Sequence, residues 1–196
     1  MPIQVKNNES YKKFRVRKLL NGANQCVCSY ATALDDVLTL TVDDYYLLYF
    51  DGVLVANRTS SSQWRTQEKF LLPSSTGVIA IAGINLVVNV PPNPAGIIAS
   101  DSAGQIWTNS SWRCSKLSLD GWMDVGFDDS GWPYAKEEAS NGGGIWQSLS
   151  DISTNAKWIW TNNFNAATGF LLDVSVYCRV CIGTLDFNYM LAHLSL

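Results

Sequence analysis

The sequence predicts an all-β protein, an antiparallel two-sheet β-sandwich. Three observations carry that expectation. Most apolar segments are short and either alternate with polar residues or are rich in β-branched side chains. An Asp-Gly pair, Asp51-Gly52, divides two such segments as a tight hairpin does, because both residues tolerate positive φ. Helix-period segments are long enough to consider only at 11–24 and 185–196.

Taken in order, KKFRVRKLL alternates Phe14 and Val16 with Arg15 and Arg17, the pattern of a strand with a solvated basic face. DVLTLTV (36–42) alternates well. YYLLYF (45–50) and VLVA (53–56) form the arms of the hairpin. GVIAIAGINLVVNV reads as one or two buried strands, and PPNPAG as a loop, since its prolines offer no donor to a ladder. GIIAS, QIWTNSSW, KWIWT and GFLLDVSVYCRVCI complete the expected strands, and NGGG at 141–144 is a loop. IWTN occurs twice, without the wider context of a repeat.

Bulk composition narrows the function classes. Of 196 residues, 47% are hydrophobic and 16% charged, enough apolar material for a full core. A net charge of −3 and a pI near 5.0 argue against a nucleic-acid partner. No apolar run approaches the roughly 20 residues of a spanning helix, and MPIQVKNNES lacks the apolar centre of a signal peptide. The single His193 leaves no basis for a multi-histidine metal site. Five cysteines stand at 26, 28, 114, 178 and 181. Cys178 and Cys181 have redox-motif spacing, but they follow a strand pattern with no helix N-terminus to activate a thiolate, so structural disulfides or buried thiols are expected. Sequons at Asn8, Asn57 and Asn109 occur at a rate that chance supplies in so Asn- and Ser-rich a chain.

The acidic pair Asp43-Asp44 opens the hairpin. It could cap a loop, offer oxygens to calcium, or accept hydrogen bonds from sugar hydroxyls. Neighbours on a strand point to opposite faces, so they cannot flank one glycosidic bond as a catalytic pair does. Only an irregular turn or a cis peptide would aim both at one ion. With no Ser/His/Asp set and no room for a hydrolase barrel, an enzyme is not expected.

TVDDYYLLYFDGVLVANR resembles the acidic–aromatic hairpin of galactose-binding-domain-like jelly rolls. The likeness continues through GVIAIAGIN, NPAGIIAS, IWTNSSWRCS, GWMDVGFDDSGWPYA, AKWIWTNN and VSVYCRVCI, over residues 35–182. The hairpin alone also resembles the calcium-dependent sugar-binding domain of yeast flocculins and anthrax protective antigen, where adjacent Asp residues hold the ion. The resemblance implies a sandwich at 35–182, an N-terminal extension at 1–34 packing on it and a C-terminal tail at 183–196. It further implies a non-catalytic, lectin-like protein of the cell exterior or surface that binds glycans through end loops. Calcium at Asp43 and Asp44 would be the cofactor, and homo-oligomerisation is left open. A structural or adhesive matrix protein is the alternative, and a domain cut from a larger enzyme a third reading. Trp64 and Arg65 lead the sugar candidates because SSSQWRTQE cannot itself bury an indole; Asp43 and Asp44 follow, then Trp112 and Asn109. Trp132, Trp158 and Trp160 are expected in the structure's interior, with Trp158 and Trp160 on one strand face and Ile159 on the other. Asp128 and Asp129 are expected in a turn. The resemblance also implies a Cys114–Cys178 disulfide, with Cys26 or Cys28 reaching Cys181.

Overall fold

A computed structural model describes residues 35–59, 64–86, 93–162 and 174–182. The expected strand at KKFRVRKLL, the two candidate helices, both terminal extensions, Cys26 and Cys28 lie outside these residues. Among the described residues ten strands are present: β1 Asp36–Asp43, β2 Tyr45–Phe50, β3 Val53–Arg58, β4 Glu68–Leu72, β5 Val78–Asn85, β6 Gly96–Asp101, β7 Arg113–Ser115, β8 Lys136–Ser140, β9 Lys157–Trp160 and β10 Val174–Cys181. They form two five-stranded antiparallel sheets, β4-β1-β6-β9-β8 and β3-β2-β5-β10-β7, called sheet one and sheet two below. Among the described residues there is no helix, and so none to cross a membrane. The two-sheet β-sandwich expected from the sequence is the observed fold class.

The hairpin follows its turn chemistry. Asp51 and Gly52 have φ of 50° and 82°, the paired positive angles of a two-residue turn whose twist matches the strands. Asp51 also accepts hydrogen bonds from the Gly77 and Val78 amides, tying the turn to the start of β5.

The core lies between the sheets. Leu38, Leu40 and Val42 of β1 meet Tyr46, Leu48 and Phe50 of β2, Ile79 and Ile81 of β5, and Ile97 of β6. Here the period-2 rule places alternate residues inward. Yet β1, β5 and β6 are buried on nearly every residue. Each sheet's outer face is covered too. Trp146, Leu149, Ile152 and Ala156 pack with Ile98 and Trp158 over sheet one. Trp122 and Trp132 cover Val78, Ala80 and Ala82 of sheet two. That second burial explains why VIAIAGI and GIIA read as continuous apolar runs.

Several expectations need correction. QIWTNSSW is not a strand: Trp107 makes an isolated bridge to Ser100, and pairing resumes only at β7. Two edge strands, β4 and β8, were absent from the sequence reading. KEEAS carries the charges that keep an exposed edge from pairing with another chain, which also hides it from a pattern built on apolar alternation. Trp158 and Trp160 do not share a cluster. Trp160 joins Ile159 in the inter-sheet core, where a Cβ at Gly83 would come 2.8 Å from its ring. Trp158 belongs to the outer cover. The ladder between β8 and β9 shifts register between Glu137 and Ala139, and such a bulge adds local twist.

Candidate functional site

The acidic pair sits where β1 leaves sheet one and β2 enters sheet two. Since Leu38, Leu40 and Val42 face the core, Thr39, Thr41 and Asp43 fall on the outer face, beneath the tryptophan cover. Asp43 is buried there, and its Oδ2 accepts a hydrogen bond from Trp146 Nε1 at 3.0 Å. Trp146 is held by stacking on Trp158, with ring centroids 4.5 Å apart and planes 15° apart. Gly96, the register partner of Asp43, leaves room for this stack: a Cβ would stand 2.7 Å from the Trp158 ring.

The Asp43–Asp44 peptide bond is cis. The two carboxyl groups lie within hydrogen-bonding reach of each other. Asp44 Oδ2 accepts from the Leu86 amide at 2.9 Å, and the Asp44 amide donates to Ile84 O at 3.1 Å, so the end of β5 cradles this residue. Asn85 closes β5, donating from Nδ2 to Asn93 O at 3.2 Å, while Asn93 Nδ2 donates to Leu86 O. Asn85 is only 2% exposed, and its Oδ1 is buried with no hydrogen-bond partner among the described residues. A buried carbonyl oxygen without a donor is costly and calls for a water or a cation beside it.

Trp64 is half-buried and packs against the Trp146–Trp158 cluster. The Arg65 guanidinium lies 4.1 Å from the Trp64 ring centroid, and its charge acts on Asp43. Gln147 Nε2 donates to Arg65 O at 3.3 Å, joining this loop to the cover segment. One end of the sandwich thus gathers two carboxyls, an unpartnered amide oxygen, a guanidinium and an indole.

Burial pushes the Asp43 carboxyl up to about 7, reinforced by the neighbouring Asp44 and opposed by the Trp146 donor and Arg65. The folded state therefore holds this proton more tightly than the unfolded chain. In the presence of a chelator, the stability that Asp43 confers is full below its ordinary value of 3.8 and is lost as pH rises through about 7. Melting temperatures of the wild type and Asp43→Asn should therefore diverge over that window, with the wild type falling relative to the variant. Parallel curves would show an ordinary carboxylate at Asp43.

Of the sequence-based candidates, Asp43, Asp44, Trp64 and Arg65 come together at this end. Asn109 and Trp112 do not join them. Asn109 closes its own turn, accepting from the Ser111 amide at 2.6 Å and donating to Trp107 O at 3.3 Å. Trp112 is 1% exposed within the inter-sheet core, with Nε1 bonded to Trp107 O at 3.1 Å, so no ring face is open to a sugar. Asp128 accepts from the Ser130 amide at 3.0 Å in a turn, whereas Asp129 pairs with Arg179 at 2.8 Å. Cys114 and Cys178 form a disulfide with Cα atoms 4.1 Å apart. Trp146, Asn85 and Asn93 were missed. For Asn85 a signal existed, an amide ending an otherwise apolar strand.

Distant similarity to a glycoside hydrolase accompanies this geometry. Over 133 residues the chain is 28% identical to an alpha-L-rhamnosidase of Streptomyces avermitilis, an alignment that covers 61% of this chain and 12% of that enzyme. The chain thus spans a small part of the relative's length. No family model matches the chain, and no solved structure matches it.

Proposed function

We propose that this domain is a non-catalytic carbohydrate-binding module that holds a sugar, with calcium, at the Asp43–Asp44 end of the sandwich. The observation that carries this reading is the buried, unpartnered Asn85 Oδ1 at the end of the strand whose next residue, Leu86, donates its amide to Asp44. A hard cation takes carboxylate, amide and carbonyl oxygens together. Among the described residues no three His, Cys, Asp or Glu side chains form a metal cluster. The donor set offered is different: Asp43, Asp44 and the amide oxygen of Asn85, with backbone carbonyls. These residues suit calcium, which when bound would attract the hydroxyl oxygens of a sugar. Trp64 supplies an apolar ring for a pyranose face, and Arg65 supplies hydrogen-bond donors for hydroxyls.

Two carboxyls in mutual contact leave no gap for a scissile bond, which supports binding over hydrolysis. The relative's name points to α-L-rhamnosyl groups as the first ligands to try. A disulfide is compatible with the cell exterior, the location proposed here.

Two expected outcomes test the proposal. Chelation with excess EDTA should lower the melting temperature, and Asp44→Asn should abolish that response. Identical melting curves with and without EDTA would remove the ion. In calorimetric titration with an L-rhamnoside, Trp64→Ala should weaken binding by about 1–3 kcal/mol, the range of stacking on an aromatic ring, while leaving the fold intact by circular dichroism. Unchanged affinity would place the sugar elsewhere.

A further inference from the structure

A second aromatic platform lies apart from the acidic end, in the segment that joins the cover of sheet two to β8. Tyr134 is 62% exposed although the chain around it is tightly fixed. It forms an isolated bridge with Arg113. On either side, the Cys114 amide donates to Pro133 O at 3.0 Å and the Ala135 amide to Trp112 O at 2.8 Å. Cys114 is further tied to β10 by its disulfide. One face of the Tyr134 ring is covered by the Arg113 guanidinium, whose Cζ lies 3.6 Å from the ring centroid. That guanidinium is itself oriented by donation from Nη1 to Trp132 O at 2.9 Å.

The combination is unlike an ordinary surface tyrosine. The exposed ring is held rigid, so little side-chain entropy is lost when a ligand stacks on it. The guanidinium behind it spends one N–H on the Trp132 carbonyl and has no carboxylate partner among the described residues. Guanidinium forks match carboxylates, and planar rings match the apolar face of a pyranose. We propose that Tyr134 and Arg113 form a second binding site for an acidic sugar chain, an oligohexuronate of which one ring stacks on the open face of Tyr134 while the carboxylate of the adjoining residue reaches past the ring edge to the Arg113 N–H groups. This site involves no residue of the Asp43–Asp44 end and stands independently of the reading given there.

The test uses the whole chain and sodium digalacturonate, with its methyl ester as the neutral control, followed by NMR titration. Binding should shift Tyr134 ring signals, weaken as salt is raised, and fall with the ester or in Tyr134→Ala by at least about fivefold, the low end of aromatic stacking. Arg113→Lys, which keeps the charge and loses the fork, should show a loss as well. Equal binding of acid and ester, unchanged binding by Tyr134→Ala, or no binding of digalacturonate would overturn the proposal. L-Rhamnoside binding measured on Tyr134→Ala separates the two sites: it should be unaffected. Loss of both ligands with an unchanged fold would show one shared site and would also overturn the proposal.

Discussion

Replacing Arg179 with alanine should destabilise the protein by about 3 kcal/mol, the lower part of the range for breaking a buried ion pair. Arg179 is 0% exposed on β10. Its Nη1 donates to Asp129 Oδ2 at 2.8 Å and to Phe127 O at 3.0 Å, and its Nη2 to Asp124 O at 2.9 Å. The guanidinium also lies 5.3 Å from the centroid of the Phe127 ring. One side chain therefore holds three points of a segment with no regular structure, the same segment that brings Trp122 and Trp132 over sheet two. Without it, Phe127 O and the Asp129 carboxylate lose their guanidinium donor, while Asp124 O keeps the Phe127 amide at 3.2 Å. The lower part of the range applies because Asp129 is partly solvated and can recover some hydration. Arg179→Lys should fall between, since an ammonium keeps the charge but cannot span three acceptors. Urea unfolding followed by far-UV circular dichroism measures the loss, and tryptophan near-UV signal reports whether the cover has detached. A loss below about 1 kcal/mol, the value of a surface pair, would mean the segment is held by its apolar contacts alone.

Removing the Cys114–Cys178 disulfide should cost more. The bridge joins the short edge strand β7 to the full-length β10, and the two cysteines are direct register partners. It closes a loop of sequence separation 64, for which unfolded-chain entropy gives roughly 4 kcal/mol. That loop contains β8, β9 and both tryptophan covers. The double variant Cys114→Ala, Cys178→Ala should therefore lower the urea midpoint, with a slope equal to or steeper than the wild type's because the uncrosslinked unfolded chain exposes more surface. Both residues sit in the inter-sheet core, so alanine also forfeits some packing. A midpoint equal to that of the wild type would show that β7 is held by its ladder alone.

What could be read in advance depended on how local the determining physics is. The hairpin was legible because Asp51-Gly52 states its own turn geometry. Strand β1 was legible by its alternation and β5 and β6 as apolar runs, and the structure explains the continuity of those runs by covers on the outer faces. Those covers were the illegible part. Residues 116–135 and 141–156 have almost no regular structure, so neither period nor propensity marks them; their Trp residues are placed by partners far along the chain. Trp146 reaches Asp43 across a separation of 103 residues, and Arg179 reaches Asp129 across 50. The candidate site was half legible for the same reason. Asp43 and Asp44 announced themselves as a pair, and Trp64 as an indole in polar surroundings. Trp112 was misplaced: it lies in the inter-sheet core, where its indole N–H meets Trp107 O, a partner no local pattern marks.

The central claim is that calcium and a sugar share the Asp43–Asp44 end. A crystal structure of the chain grown with calcium and an L-rhamnoside tests it most directly. The account predicts an ion at about 2.3–2.6 Å from carboxylate oxygens of Asp43 and Asp44 and from Asn85 Oδ1, with sugar hydroxyls among its ligands and the pyranose beside Trp64. A water bonded to Asn85 Oδ1 with no ion beside it, or a sugar bound away from Trp64, would contradict it.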